Sequence, residues 1–295
     1  MRWALGSRSV PIDLRNRIAA CIAALLLFCL PEPSLAWGPN GHRISGEIAW
    51  RNLTPRTKDA VRALLPKKDR YDTLAETAAW ADTFARDHPR EWRWLEPLHY
   101  VNADPRGDAV RAGRNCGCVV GAIEIQADRL RDPKASRAEK MEALRLVAHF
   151  VGDVHQPLHV AHLDQRGGTT VDVRFDGKPT TLHKLWDSGM LERKLRERRR
   201  GRGRGGRWRA HAHALADAVS PTQRAEWTAS REPRAWAGES LRLAREYTFS
   251  VREDAALGDP YYERSIPIVE QRLQQSGLRL AALLNAIFDP AAPLQ

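Results

Sequence analysis

The sequence lacks an apolar run long enough to cross a membrane. The apolar stretch from Ile18 to Leu30 is several residues short of the roughly 20 that a membrane-spanning helix needs, and prolines follow it. Arg15 and Arg17 precede this stretch and Ser34-Leu35-Ala36 follows, which is the pattern of a secretory signal peptide. We therefore expect residues 1–36 to be removed. The mature protein would start at Trp37, would be secreted or periplasmic, and would have no stable membrane association.

Cysteine is also scarce, with four residues in a chain of 295. Cys21 and Cys29 lie in the signal segment, so the mature protein keeps only Cys116 and Cys118. Export to an oxidising compartment permits a disulfide between these two. A Cys-x-Cys ring is tight, so a free or metal-accessible thiol pair is the alternative.

The alternation of apolar and polar residues that is typical of strands is confined to Thr170–Phe175, just before an Asp176-Gly177 turn. Elsewhere helical periodicity dominates, which predicts an all-α fold with a small β-hairpin. No internal repeat and no linker divides the chain, so we predict a single domain over residues 37–295. Helices are predicted over 41–52, 55–65, 74–86, 121–130, 137–154, 182–198, 234–249 and 262–287.

The formal net charge is +11, which favours an anionic partner such as nucleic acid or a membrane surface. Much of this charge lies in residues 192–209, where arginines alternate with glycines after a predicted helix end. We predict a basic glycine-rich insertion there. It either holds phosphates without reading sequence or is a solvated mobile loop.

The segment around His149 and Asp153 carries the strongest chemical signal. On a helix these two residues share a face, and the apolar residues on both flanks predict a helix that is buried nearly all round. A buried imidazole and carboxylate cost several kcal/mol unless they are compensated. Either a bound cation or a direct hydrogen bond between the two would compensate them.

A second pair, His183 and Asp187, repeats this spacing and favours the cation. His159, which follows Pro157, supplies another imidazole for the second site. Imidazole and carboxylate ligands together suit zinc, whereas calcium and magnesium prefer oxygen ligands alone. Asp82 and His99 each add one potential ligand in apolar surroundings.

These segments occur in one order along the mature chain and together resemble the S1/P1 nuclease family of zinc-dependent single-strand nucleases and 3′-nucleotidases. The matching segments are Trp37-Gly-x-x-Gly-His42, Trp80-Ala-Asp82, Leu98-His99-Tyr100, Cys118–Ile123, His149–His159, Phe175-Asp-Gly177, Leu182-His183-x-x-Trp-Asp187 and Tyr261-Tyr262. The resemblance implies a phospholipase C/P1 nuclease-like helical domain.

The resemblance also implies three zinc ions per chain, with ligands carried over by position. The first ion would take Asp82, His99, His149 and Asp153, the second would take the amino nitrogen and carbonyl oxygen of Trp37 with His42 and the shared Asp153, and the third would take His159, His183 and Asp187. A water that bridges two zinc ions loses a proton near neutral pH and would act as the nucleophile, with Asp82 and Asp153 as the catalytic carboxylates. The expected substrates are single-stranded DNA, RNA and 3′-nucleotides, the products carry a 5′-phosphate, and the enzyme is expected to be a monomer.

Three further residues receive roles from the resemblance. Tyr100 matches a position where an aromatic ring stacks on the base, and Asn102 one where a polar side chain contacts the base edge. The alternative for Tyr100 is an ordinary core aromatic. The family has an arginine or lysine three residues after the aspartate that matches Asp82, and this chain has Ala85 there. Either Arg86 replaces that cation, or its stabilisation of the transition state is missing.

The other histidines are not expected to bind metal. We expect His155 to pack or to support a ligand, His88 to lie in a loop, and His162, His211 and His213 to face solvent.

Two other functions compete with the nuclease. A zinc phospholipase C would use a similar scaffold on lipid head groups, and a secreted basic binding protein would use its metal only for structure. Structural zinc sites are usually rich in cysteine, and this candidate site has none among its ligands.

Overall fold

The computed structural model describes residues 37–103, 110, 112–197, 204–249 and 251–291, and most of these residues are helical. The α-helices are α1 Pro39–Arg51, α2 Pro55–Leu64, α3 Leu74–Ala78, α4 Trp80–Asp87, α5 Pro89–Trp92, α6 Val119–Arg131, α7 Arg137–Asp153, α8 Leu182–Lys184, α9 Met190–Glu197, α10 Arg204–Asp217, α11 Pro221–Thr228, α12 Pro233–Tyr247 and α13 Asp259–Phe288. Short 3₁₀ segments cover Arg93–His99, Pro157–His159 and Leu163–Gly168, and a π-helical turn covers Leu185–Gly189. The signal segment lies outside the described residues.

Several helices begin where a side chain accepts a hydrogen bond from a free backbone N–H group. Thr54 accepts from the N–H of Thr57 at the start of α2. Ser136 and Ser220 form capping boxes with Glu139 and Gln223 at the starts of α7 and α11. Each such cap contributes about 1 kcal/mol to helix stability.

The predicted all-α class and hairpin are confirmed. Strands β3 (Asp172–Phe175) and β4 (Lys178–Thr181) pair antiparallel across the turn, and β5 (Ala255–Leu257) joins β3 in parallel. Two more strands, β1 (Val101–Ala103) and β2 (Val160–His162), form a parallel pair that the sequence did not predict. This pair aligns Val101 with Val160, so the residues just before each strand lie side by side.

Two helical predictions and one loop prediction differ from the structure. The helix predicted over 74–86 is two helices that meet at Ala79, and the one predicted over 182–198 contains the π-helical turn. The glycine-rich loop prediction is wrong for residues 204–209, which form the first turns of α10. Trp208 and Ala212 on this helix are buried, so packing overrides the low helix propensity of its glycines.

Helix α7 runs through the interior, with Leu144, Val147, Phe150 and Val151 fully buried. The prediction of a helix buried nearly all round is confirmed for its C-terminal half, because every residue from Leu146 to Asp153 is buried. The interior helix therefore delivers its last turn to the centre of the domain.

The disulfide between Cys116 and Cys118 is present, just before α6. Within the described ranges, every helix is too short or too polar to cross a bilayer.

Candidate metal centre

Five potential ligands from four separate elements converge at the end of α7, and we call them the inner cluster: His42, Asp82, His99, His149 and Asp153. His149 Nε2 lies 3.5 Å from Asp82 Oδ1 and 3.4 Å from Asp153 Oδ2. His42 Nε2 lies 3.4 Å from Asp153 Oδ1 and 3.8 Å from Asp82 Oδ2. One ligand atom from each of His99, His149 and Asp153 also falls within a sphere small enough for one metal ion.

The donor atoms of the inner cluster fit a divalent cation. All four carboxylate oxygens of Asp82 and Asp153 are buried without a hydrogen-bond partner among the described residues, as are Nε2 of His149 and both ring nitrogens of His42. Leaving so many polar atoms unsatisfied would be very costly. Imidazole nitrogens and carboxylate oxygens are the donors that zinc and related ions prefer.

Three more potential ligands form a second group, which we call the outer cluster: His159, His183 and Asp187. His183 Nε2 lies 3.1 Å from Asp187 Oδ2, and His159 Nε2 lies 3.9 Å from Asp187 Oδ1. Asp187 lies in the π-helical turn, which is a frequent feature of functional sites.

Gln156 is a residue of this site that the sequence argument missed. Its side-chain amide donates to Asp187 Oδ1, while its Oε1 accepts from the N–H of Leu158 at 2.5 Å. It therefore fixes the outer-cluster carboxylate against the turn that carries His159. No periodicity marks such a residue, and only its place within the His149–His159 segment pointed to it.

Four histidines use Nδ1 to donate to a backbone carbonyl, which directs Nε2 toward the clusters. The pairs are His99 with Leu95 at 2.8 Å, His149 with Ala78 at 2.9 Å, His159 with His99 at 2.7 Å and His183 with Gly167 at 2.6 Å. Such bonds fix the tautomer and the ring orientation of metal-binding histidines.

The start of the predicted mature chain lies beside both clusters. Trp37 is fully buried, and the N–H of the next residue, Gly38, donates to the carbonyl of Asp187 at 2.9 Å. His42, one turn later, stacks on His149 with ring centroids 4.0 Å apart. The first residues of the predicted mature chain therefore contact both clusters, through Gly38 and His42.

Burial shifts the pKa values of the inner cluster strongly. Burial raises the pKa of Asp82 well above its ordinary value, and the nearby Asp187 adds to the effect. Burial and the neighbouring Asp82 do the same to the pKa of Asp153. Burial also lowers the pKa of His149, and it lowers that of His99 to about 4. Each group favours its neutral form in this setting, and a bound cation is what would hold the carboxylates ionised.

In the outer cluster the pKa values of the two histidines shift in opposite directions. Burial lowers the pKa of His159, to which the neighbouring His183 adds. For His183, burial also acts downward, but the Asp187 carboxylate outweighs it and the pKa is raised. Burial raises the pKa of Asp187 despite its contact with His183. The protonation states of these two residues therefore depend on each other.

The three residues expected to contact substrate lie on the surface near the inner cluster. Tyr100 directly follows His99 and is 39 % exposed, so it is not a core aromatic. Asn102 is exposed on β1. Arg86 lies one turn after Asp82 on α4, where its positive charge acts on the Asp82 carboxyl, and it hydrogen-bonds Asp87.

Of the remaining histidines, those that the structure describes belong to neither cluster. His155 is buried between the carbonyl of Val151 and the guanidinium of Arg279, as expected for a packing residue. The solvent-facing prediction is wrong for His211, which is fully buried 3.2 Å from Glu270. His213 is partly exposed and bonds Glu47. His88 caps the end of α4, and the side chain of His162 lies outside the described residues.

A helical domain with buried clusters of imidazole and carboxylate donors defines a class of metal-binding proteins. The family model for S1/P1 nuclease matches residues 37–289, starting at Trp37. Endonuclease 4 of Arabidopsis thaliana is 33 % identical over 90 % of this chain and 93 % of its own length. Nuclease S1 of Aspergillus oryzae is 30 % identical over 88 % and 94 %, and nuclease P1 of Penicillium citrinum is 27 % identical over 85 % and 97 %.

The chain belongs to the S1/P1 nuclease family. It is therefore a phosphodiesterase, with nucleic acid as its class of substrate. This membership decides against the phospholipase C and the purely structural metal protein that the sequence left as alternatives.

Proposed function

We propose that the mature chain is a secreted or periplasmic endonuclease that binds three zinc ions and cleaves single-stranded DNA and RNA. The observation that carries this proposal is the convergence of buried imidazole and carboxylate groups in the two clusters, with the carboxylate oxygens of Asp82 and Asp153 lacking a hydrogen-bond partner among the described residues. Two zinc ions would lie in the inner cluster with Trp37, and the third would lie between His159, His183 and Asp187. Zinc so held supplies an acidified water and positive charge for the phosphate.

The protein's own residues then orient the substrate. Tyr100 stacks on a base beside His99, which requires that base to be unpaired and so favours single strands. Asn102 contacts the edge of the same base. Arg86 lies on the same face of α4 as Asp82 and contributes a positive charge toward the phosphate. It thereby replaces the cationic residue that the family has at the position of Ala85.

Asp82 and Asp153 have a second role besides binding metal. Their negative charges offset part of the positive charge of the ions and fix the geometry of the inner cluster.

The products would be 5′-phosphorylated, and the same site would remove phosphate from 3′-nucleotides. Nothing in this scheme requires a second chain, and we propose a monomer.

Signal cleavage acquires a chemical role in this proposal. While residues 1–36 are attached, the nitrogen of Trp37 belongs to an amide and is a poor metal donor. A mature chain carrying one extra alanine before Trp37 should bind less zinc and lose most of its activity. Zinc content and activity equal to those of the correctly processed chain would refute this role.

The proposal is tested on one preparation of the processed protein with four substrates: single-stranded DNA, single-stranded RNA, duplex DNA and phosphatidylcholine vesicles. We expect cleavage of the single strands to exceed that of the duplex and no hydrolysis of the lipid. Chelation should abolish the activity, and added zinc should restore it. Full activity after exhaustive chelation, or a preference for the lipid, would overturn the proposal.

A further inference from the structure

Two aromatic rings on one short segment are unusually exposed. Among the described residues, the exposed large apolar side chains are Trp94 at 57 %, Tyr100 at 39 % and Ile125 at 39 %. Trp94 lies in the 3₁₀ segment Arg93–His99, and Tyr100 is the cap at its end. Leaving an indole ring in water forgoes the gain from burying it, so such a ring often marks a contact surface.

The 3₁₀ geometry aligns these rings. Side chains three residues apart eclipse one another in a 3₁₀ helix, so Trp94, Pro97 and Tyr100 fall on one line. All three are exposed, whereas Leu95 and His99 on the other lines are buried. We call the exposed line the aromatic ridge. With a rise of about 2 Å per residue, Trp94 lies about 12 Å from Tyr100 along it.

Trp94 rests on a packed aromatic base. Its ring centroid lies 6.3 Å from that of Trp92, which is buried. Trp92 in turn meets Trp80 at 5.4 Å and Phe84 at 5.1 Å, both edge to face. A backbone held by such packing presents the indole with little freedom to lose on binding, which favours recognition.

Free positive charge lies beside the ridge. Arg90 and Arg93 are exposed, and neither has a partner within the described residues. The acidic neighbours are already engaged, Asp87 with Arg86 at 3.1 Å and Glu91 with His88 at 3.1 Å. Glu96 is the remaining carboxylate of the segment, so the guanidinium groups of Arg90 and Arg93 exceed it in number and leave a net positive charge.

Stacking surface and guanidinium groups together are what single-stranded nucleic acid requires. We propose that Trp94 forms a second base-stacking subsite, which binds a base several nucleotides away from the base on Tyr100, with Arg90 and Arg93 on the phosphates next to that second base. This inference rests on the proposed function. Stacked nucleotides repeat about every 3.4 Å, so a separation of about 12 Å corresponds to three or four nucleotides.

The proposal predicts an effect that depends on substrate length. The test compares Trp94→Leu, which keeps apolar bulk without an aromatic face, and Trp94→Phe with the unaltered holoenzyme on a thymidine octanucleotide, a thymidine dinucleotide and a 3′-nucleotide. Trp94→Leu should raise KM for the octanucleotide about tenfold with kcat unchanged, and should leave both parameters for the two short substrates unchanged. Trp94→Phe should recover most of the affinity for the octanucleotide.

Ile125→Ala serves as the matched control, because it shortens a comparably exposed apolar side chain that is on α6 and not on the ridge, and it should change no kinetic parameter. An unchanged octanucleotide KM in Trp94→Leu would overturn the subsite, as would an equal rise for the dinucleotide. Failure of the unaltered enzyme to cleave any of the three substrates would instead refute the proposed function. Matching melting temperatures of the variants confirm that each is folded.

Discussion

His159 donates a hydrogen bond from Nδ1 to the backbone carbonyl of His99, across 2.7 Å. The two residues belong to different clusters. His99 lies two residues before β1, and His159 lies directly before β2. Pairing of Val101 with Val160 therefore fixes the inner and outer clusters against each other. The distance between the proposed metal positions is set by this strand pair rather than by either cluster alone.

Substitutions at the two kinds of aspartate should remove different numbers of metal ions. Asp187 belongs to the outer cluster, so Asp187→Asn should reduce the zinc content from three ions per chain to two. Asp153→Asn, proposed to be shared between two ions, should reduce it to one. Elemental analysis of the purified proteins measures this, with substitution of the exposed Asp172 of β3 (Asp172→Asn) as the control. Equal losses in the two cluster variants would contradict the shared role of Asp153.

Removing the metal should destabilise the fold as well as stop catalysis. Asp82 and Asp153 would remain buried without a compensating charge. A loss of about 3 kcal/mol would lower the Tm by roughly 10 °C in a domain of this size. Thermal unfolding before and after chelation measures the change, and zinc but not magnesium should reverse it. A Tm that chelation leaves unaltered would show that the clusters are stable without ions.

Gly152 lies where α7 meets the ring of His42. A Cβ atom at this position would lie 2.7 Å from His42 Nδ1 and 2.9 Å from Cε1. Gly152→Ala should therefore displace His42 and lower kcat/KM at least about tenfold, because ligand displacements of about 1 Å carry large costs in rate.

The matched control for this variant is Gly238→Ala on α12, whose added Cβ would have Arg242 Nη1 as its nearest neighbour, at 4.0 Å. It should retain activity and gain up to about 1 kcal/mol in the free energy of unfolding. Wild-type activity in Gly152→Ala would mean that the ring of His42 has room to move.

Glu239 holds a buried pair of arginines next to the turn that follows Asp153. Its carboxylate accepts from Arg272 Nη1 at 2.7 Å and from Arg279 Nη1 at 2.6 Å, while Arg272 Nε donates to the carbonyl of His155. Burial acts to raise the pKa of Glu239, but the hydrogen bond and charge of Arg279 and the charge of Arg272 outweigh it and lower the pKa.

A carboxyl with a lowered pKa in the folded state stabilises the fold above its unfolded pKa, and this contribution is lost as the pH falls through the folded value. Glu239→Gln should therefore cost about 2 kcal/mol at pH 7, less than for a fully buried pair because Glu239 is partly exposed. The cost should shrink steadily below about pH 4.5. Denaturant unfolding of both proteins from pH 7 to pH 3 measures it, and a difference independent of pH would rule out the ionic contribution.

Much of the fold was readable from local patterns. The spacing of His149 and Asp153 within apolar flanks predicted an interior helix, and α7 is one because apolar residues on all sides of a helix must be buried. The β3–β4 hairpin followed from a short alternation and an Asp-Gly turn. Helix α10 was missed because its glycines and arginines have no clear periodicity, and only the burial of Trp208 against its neighbours makes it a helix.

Local sequence pattern identifies the candidate metal ligands: paired histidines and aspartates at helical spacing, in apolar surroundings that leave their polar atoms no partner but an ion or each other. How these ligands are grouped depends on the packing of the helices and strands. His42, Asp82 and His149 meet because three helices pack together, and His159 joins His183 rather than His149 because a strand pair directs it there. Spacing along the chain fixes neighbours within one element, whereas contacts between elements depend on the packing of the whole core.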